Sequence, residues 1–201
     1  MRRFDVPLLV VGIIAAAALI LVFKRQNTGK AIASSGGAPL YIAPISGAHF
    51  LQRDARWSKT TIGGSGETIA KVGCTICSVA MAFDVCGMKT DPEQLNAALK
   101  KEDGFTSSGL LKWDAVTAVS KGKIKVAYLG KASYEVIDDA LKNGQPVIAK
   151  IFLNNVVPHW VLIVGKEDGE YIVRDPLKET PVKLSSRGSA IHAIRVLKRM
   201  Q

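Results

Sequence analysis

The chain has 201 residues, of which 48% are hydrophobic and 22% are charged, a composition typical of a globular protein. This length is sufficient for one domain with a sizeable core. The formal net charge of +10 favours polyanionic partners, such as an anionic lipid surface, an acidic cell-wall polymer or nucleic acid. The lysines, however, are scattered singly and form no arginine-rich or aromatic-basic block. We therefore interpret them as solvated surface and expect no nucleic-acid partner.

An apolar run over residues 6–23 dominates the start of the chain and has basic residues on both sides. A helix of about 18 residues, at roughly 1.5 Å per residue, just crosses the hydrocarbon core of a bilayer. We therefore predict a transmembrane anchor in residues 1–25, which would make this a single-pass membrane protein with the lipid bilayer as a partner. A cleaved signal peptide is the alternative, because Ala31-Ile32-Ala33 resembles a cleavage site. A very short basic head before one span favours an extracytoplasmic domain.

Residues 26–48 are rich in Gly, Ser, Ala and Pro without a sustained period, which predicts a flexible linker. The globular domain is then predicted to span residues 49–201. Helical patterns occupy its first half: one runs from Cys74 to Cys86, a second is opened by Asp91-Pro92-Glu93, and a third is capped by Ser107 or Ser108 and continues to about Lys121.

Strand patterns dominate the second half of the chain. Alternation over residues 124–128 precedes a helix over residues 133–143, and four further strands are predicted over residues 146–152, 159–164, 170–173 and 190–197. Glu167-Asp168-Gly169 joins the two middle strands as a tight hairpin. Helices first and strands second predict an α+β fold, with N-terminal helices packed on a mostly antiparallel sheet.

The three cysteines, Cys74, Cys77 and Cys86, lie close together in the sequence. They are too few and too clustered for a secreted disulfide scaffold, and Cys77 and Cys86 would be about 13 Å apart on one continuous helix. A redox Cys-x-x-Cys pair would need a thioredoxin-like pattern, and a zinc site would need two further ligands at matched spacing. We therefore predict no metal and no cofactor, and interpret Cys77 and Cys86 as small buried hydrophobic residues.

Cys74 is the candidate nucleophile because it stands at the first turn of a predicted helix. The free N–H groups and the positive dipole end at this position favour a thiolate and can donate to an oxyanion. His159 is the candidate base, since it begins an apolar strand, whereas His49 and His192 lie at the domain edge and in the last strand. Asp175 ends the second strand of the hairpin, and antiparallel pairing would bring it near His159. Cysteine, histidine and aspartate in this order suggest a thiol hydrolase.

A wider set of motifs surrounds these residues. In chain order they are Leu51-Gln52-Arg53-Asp54-Ala55-Arg56-Trp57, Gly73-Cys74 with Ser78-Val79-Ala80-Met81, His159-Trp160-Val161-Leu162-Ile163-Val164-Gly165, and Tyr171-Ile172-Val173-Arg174-Asp175-Pro176. The ordered set resembles the papain-like cysteine peptidases related to bacteriocin leader (double-glycine) processing domains, over roughly residues 49–198.

This resemblance implies a papain-like cysteine peptidase fold and a role for each of four residues. Cys74 would be the nucleophile and His159 the base and acid. Asp175 would orient His159, and Gln52 would donate to the oxyanion beside the Cys74 backbone N–H. Unlike the transporter-fused processing domains, this chain is expected to be a stand-alone, membrane-anchored member.

We therefore expect a membrane-anchored cysteine peptidase that hydrolyses peptide bonds in a peptide or protein substrate through an acyl-enzyme at Cys74. One alternative is a peptidoglycan cross-link hydrolase of the same fold, for which the basic charge and an external domain would be suitable. Another is a catalytically silent binding or structural module of a cell envelope or virion. The presence of all four site residues argues against silence.

Overall fold

The computed structural model describes residues 31–200. Within them the helices are α1 (Ile69–Val72), α2 (Cys74–Val85), α3 (Pro92–Lys101), α4 (Ala115–Val119) and α5 (Tyr134–Lys142), with a 3-10 turn at Leu184–Arg187. The strands are β1 (Ile124–Lys131), β2 (Val147–Leu153), β3 (Val157–Glu167), β4 (Glu170–Arg174), β5 (Val182–Lys183) and β6 (Ala193–Arg199).

The strands of the described residues form one sheet in the order β1-β6-β2-β3-β4-β5, and every neighbouring pair is antiparallel. One core cluster joins α2, α3 and α4 to residues of the sheet such as Leu162, and a second joins α5 to residues such as Val161. Val161 and Leu162 are neighbours in β3, so their side chains point to opposite faces of the sheet. The two clusters therefore lie on opposite faces, and helices cover both. The predicted α+β class with an antiparallel sheet is confirmed.

The first predicted helix begins and ends close to the expected residues, and the second begins where it is expected. Nearly all of α2 is buried, which explains its continuous apolar sequence, and it is followed at Gly87 by a residue with φ +79°. At α3 the Asp91 side chain accepts a hydrogen bond from Gln94 N, with Pro92 in the first turn.

The predicted third helix is wrong over most of its length, because α4 contains only Ala115–Val119. Gly109 adopts φ +79°, and the Thr106 hydroxyl accepts a hydrogen bond from Leu110 N, so the chain turns instead of coiling. A bridge between Phe105 and Leu111 closes this turn. The strand predicted to begin at His159 begins earlier, at Val157, and the short β5 was not predicted.

Residues 31–48, which the sequence assigns to a flexible linker, lie along the sheet in the structure. Ile42 pairs with Lys166, and Ile45 N donates to Val164 O at 2.8 Å. The segment passes so close to Gly165 that a Cβ there would be 2.8 Å from Ile42 O. Isolated apolar side chains, among them Ile32, pack into the second core cluster. Such contacts depend on the folded sheet and leave no periodic pattern in the sequence.

The membrane anchor predicted in residues 1–25 lies outside the described residues, as do the first residues of the predicted linker. Among residues 31–200, the structure contains no helix with the length and apolar character required to cross a bilayer.

Candidate active site

Cys74 is the first residue of α2, as the sequence predicts. Gly73 forms the turn between α1 and α2 that places it there. The Gly73 N–H closes α1 by donating to Ile69 O at 2.8 Å, and Gly73 then serves as the N-cap of α2. A Cβ on Gly73 would lie 2.4 Å from that same oxygen, so a larger residue cannot make the turn without displacing it. Cys74 therefore lies where helix N–H groups have no partners within the helix.

His159 and Asp175 are joined by a buried hydrogen bond. His159 Nε2 donates to Asp175 Oδ1 at 2.6 Å, and the two side chains are 3% and 0% exposed. The hairpin between β3 and β4 brings them together: Asp168 and Gly169 form its turn with positive φ, and Leu162 pairs with Arg174. The turn sets the pairing next to it, and a bulge between Ile163 and Gly165 then shifts the register by one residue. This shift places Asp175 on the same face of the hairpin as His159, beside the start of β3.

The Cys74 side chain lies close enough to the His159 ring to affect the pKa of the imidazole. Burial alone lowers the pKa of His159, but the hydrogen bond to Asp175 and the interaction with Cys74 outweigh it and raise this pKa to about 9. Because Nε2 is bonded to Asp175, Nδ1 is the ring nitrogen left to face the sulfur. The arrangement therefore favours a protonated imidazole at neutral pH.

The connection between α2 and β3 holds the cysteine and the histidine in register. Ser78 lies one helical turn beyond Cys74, and its hydroxyl donates to Trp160 O at 3.1 Å. Trp160 directly follows His159 in β3. This hydrogen bond therefore ties α2, one turn after Cys74, to β3, one residue after His159.

Asp175 has charged or polar neighbours at both carboxylate oxygens. Leu177 N donates to Oδ1 at 2.8 Å. Arg187 Nε lies 2.7 Å from Oδ2 and forms an ion pair with it, but the geometry of this contact is not that of a hydrogen bond. His49 Nε2 donates to the backbone oxygen of Asp175 at 3.1 Å. Burial by itself raises the pKa of Asp175, but His159, Leu177 and Arg187 together lower it.

Gln52 connects the two parts of the site. Its backbone N donates to Pro176 O at 3.0 Å, directly after Asp175, and its side-chain Nε2 donates to Ala70 O at 2.8 Å, in the short helix before Cys74. The side chain is buried, and Nε2 carries a second hydrogen beyond the one given to Ala70. Gln52 is thus near the turn that presents Cys74.

The other two cysteines differ from Cys74 in their surroundings. All three are free and buried. Burial raises the pKa of Cys77, and it raises the pKa of Cys86 to about 11. Across residues 31–200, no group of three or more His, Cys, Asp or Glu side chains could hold a metal ion.

A buried thiol at a helix N-terminus facing a histidine–aspartate pair on an antiparallel sheet is the arrangement expected of a papain-like domain. The chain belongs to the Peptidase_C39 like family, whose model matches residues 51–187. A search of curated proteins gives no match. A crystal structure of a Bacillus anthracis protein described as a C39-like peptidase is similar in fold, with a TM-score of 0.51 and 16% sequence identity. The similarity covers 81% of this chain and 100% of that one.

The sequence did not point to Arg187 or to His49 as neighbours of the site. Arg187 follows Asp175 by twelve residues and reaches it only because β5 and the 3-10 turn bring the chain back to β4. His49 reaches Asp175 across more than a hundred residues. Neither contact corresponds to a local spacing, so no sequence pattern could have revealed them.

Arg187→Met should raise the pKa of Asp175, because the cation beside Oδ2 is lost while burial still disfavours the carboxylate. The carboxyl ¹³C chemical shift of Asp175, followed by NMR as pH is lowered, measures this change. Arg187→Lys should restore part of it, and Lys183→Met, an exposed cation that precedes the same turn, should leave it unaltered. An unchanged pKa in folded Arg187→Met contradicts the expectation.

Proposed function

We propose that this protein is a cysteine peptidase in which Cys74 is the nucleophile, His159 the general base and acid, and Asp175 the residue that positions His159. The observation that supports this most directly is the buried His159 Nε2 to Asp175 Oδ1 hydrogen bond of 2.6 Å, which leaves Nδ1 as the ring nitrogen available to Cys74. Membership of the Peptidase_C39 like family supports the same reaction class.

In the resting site of this proposal the proton of the Cys74 thiol is already held on His159 Nδ1, so a thiolate lies beside an imidazolium before the substrate binds. The sulfur attacks the carbonyl carbon of the scissile peptide bond, and the carbonyl electron pair moves to the oxygen. When this tetrahedral intermediate collapses, the C–N bond breaks and His159 gives its proton to the leaving amine. Water, deprotonated by His159, then attacks the thioester, and Cys74 leaves as the thiolate and recovers its starting state.

The oxyanion of each tetrahedral intermediate needs donors already in place. In this proposal the Cys74 backbone N–H and the second hydrogen of Gln52 Nε2 supply them. The hydrogen bond from Gln52 to Ala70 holds the amide next to the Cys74 turn, so little reorganisation is needed when charge develops.

The role of Asp175 is electrostatic and orientational. Its hydrogen bond fixes the ring so that Nδ1 is available to Cys74, and its charge stabilises the imidazolium of the resting ion pair. Because His159, Leu177 and Arg187 together lower the pKa of Asp175, this side chain remains ionised in the proposed reaction.

A thiol-directed reagent tests this assignment. At pH 7, iodoacetamide should alkylate Cys74 at least about tenfold faster than Cys77 or Cys86, since only Cys74 is paired with an imidazole. Cys74→Ala should lose both this labelling and peptide hydrolysis, the latter by a factor on the order of 10³ or more. Mass spectrometry identifies the labelled cysteine, and a peptide mixture and purified peptidoglycan serve as separate substrates.

Cys86→Ala is the matched control, because Cys86 is equally buried but lies at the other end of α2. It should keep both the labelling of Cys74 and hydrolysis. Equal, slow alkylation of all three thiols would favour the catalytically silent module, and Cys74-dependent cleavage of peptidoglycan alone would favour the cross-link hydrolase.

The pH dependence of hydrolysis follows from the state of His159. Activity should fall as pH rises through about 9, because the imidazole then loses the proton that the leaving amine requires. In Asp175→Asn the carboxylate that raises this pKa is gone and the effect of burial remains, so the alkaline midpoint should move to lower pH. A profile of kcat/KM against pH measures it. Asp139→Asn, on the exposed side of α5, should not move the midpoint, and an unmoved midpoint in Asp175→Asn would contradict the role given to Asp175.

We further propose that residues 1–25 anchor the protein in a bilayer with the domain outside the cytoplasm, on the grounds of the apolar run in the sequence. Protease added to intact cells should then degrade the domain, and the protein should sediment with membranes. A domain protected until the cells are lysed would reverse the proposed orientation.

A further inference from the structure

A group of aromatic and basic side chains lies on β2, β3 and β6 next to the proposed site. We call Trp113, Trp160, Lys150 and Arg195 the tryptophan–arginine cluster. Lys150 pairs directly with Trp160, and Arg195 pairs with Ile148, so Lys150 and Arg195 are diagonal neighbours on one face of the sheet. Trp113, just before α4, completes the cluster by packing against Trp160 with ring centroids 5.2 Å apart.

Arg195 is held in place by the two indole rings. Its guanidinium carbon lies 5.1 Å from the centroid of Trp113 and 5.3 Å from that of Trp160. Its Nη1 donates to Ile194 O at 2.8 Å, but its buried Nε has no hydrogen-bond partner among the described residues. The orientation of the guanidinium is therefore fixed, while some of its N–H donors make no hydrogen bond.

The positive charge of this cluster is not neutralised within residues 31–200. Neither Lys150 nor Arg195 takes part in any ion pair there, although both are only partly exposed. Burial and the charge of Arg195 lower the pKa of Lys150, and burial and the charge of Lys150 lower that of His192 nearby. Two close, half-buried cations repel each other, and a bound anion would relieve this repulsion.

The cluster lies on the face of the sheet that α2 covers. Trp160 follows His159 in β3, so its side chain points to the opposite face from the imidazole and packs against the core cluster that contains α2. Its backbone oxygen accepts the hydrogen bond from Ser78, one helical turn, or roughly 6 Å, beyond Cys74. An extended peptide advances about 3.3 Å per residue. A substrate side chain two or three residues from the scissile bond can therefore reach this face of the sheet.

We propose that the tryptophan–arginine cluster is a substrate subsite that binds a carboxylate, with the free donors of Arg195 and the Lys150 ammonium as its ligands and the two indole rings packed against the adjoining carbon chain. The inference rests on the proposed peptidase function and defines its substrate class as peptides with a carboxylate near the scissile bond. That carboxylate can come from an acidic side chain or from a free C-terminus, which share the same recognition chemistry.

Matched peptides distinguish these sources. A cleaved peptide is resynthesised with Glu or Gln at each of the three positions on either side of the cut bond, and with a free or amidated C-terminus. The wild-type enzyme should give kcat/KM about tenfold higher for the carboxylate member of one pair, in line with a charge-assisted hydrogen bond. The pair that shows the effect identifies the source.

Substitutions then assign the preference to the cluster. Arg195→Met should reduce the ratio for that pair to about one, while Arg195→Lys should retain part of it. Lys198→Met, an exposed cation on the same strand, should leave it unchanged. If Arg195→Met does not fold, Lys150→Met is the alternative, and it should also reduce the ratio.

A binding measurement separates failure of this inference from failure of the proposed function. The Cys74→Ala protein should bind the preferred carboxylate peptide more tightly than its amide counterpart, with a change in tryptophan fluorescence that Lys150→Met weakens. Absence of Cys74-dependent hydrolysis of every peptide would overturn the proposed function while leaving this binding difference measurable. Hydrolysis or binding without any carboxylate preference, or with a preference that Arg195→Met and Lys150→Met leave intact, would overturn the subsite.

Discussion

The hydrogen bond between His159 and Asp175 is the interaction on which the rest of the proposed site depends. Both partners are almost fully removed from water. An unpaired charge in this buried environment would be strongly disfavoured. Each partner therefore requires the other in its charged form. The Cys74 thiolate can then be balanced by a cation that the fold already stabilises, and no additional charge has to be brought in from solvent.

Asp175 can be buried because charged or polar neighbours compensate its negative charge at both oxygens. Leu177 N and His159 contact one oxygen, and Arg187 contacts the other. The segment that leaves β4 therefore supplies its own compensation, first through a local backbone N–H and then, after β5, through a guanidinium. This arrangement contrasts with Arg195 and Lys150, whose charges meet no carboxylate within the described residues. The charges of the proposed catalytic residues are thus paired within the domain. The charges of Arg195 and Lys150 are unpaired there, and a substrate carboxylate could pair with them.

The parts of the fold that could be predicted from sequence are those fixed by local chemistry. The apolar run after Gly73 predicts a buried helix beginning at Cys74, and Asp168-Gly169 predicts the turn of the hairpin that carries His159 and Asp175. The bulge between Ile163 and Gly165, which puts Asp175 on the face of His159, is not predicted. The parts that could not be predicted depend on contacts between distant segments. Residues 31–48 add to the folded domain through backbone pairs with three distant segments, Ile32 with Ile191, Ser35 with Glu170 and Ile42 with Lys166. Similarly, Arg187 and Arg195 acquire their neighbours from the order of strands in the sheet, which no spacing in the sequence encodes.

Exposure does not single out the proposed nucleophile, because Cys74 and Cys86 are 8% and 7% exposed. What differs is the partner: Cys74 faces an imidazole, whereas burial keeps Cys86 in its thiol form. The reactivity of Cys74 must therefore depend on how α2 lies against β3. The Ser78 hydroxyl and Trp160 O make one directional contact between these elements near the site, and the packing of α2 on residues such as Leu162 supplies the rest. A change that slides α2 along β3 would separate the Cys74 sulfur from the His159 imidazole and leave every side chain of the site chemically intact. The packing of this helix is therefore as much a part of the proposed mechanism as the side chains themselves.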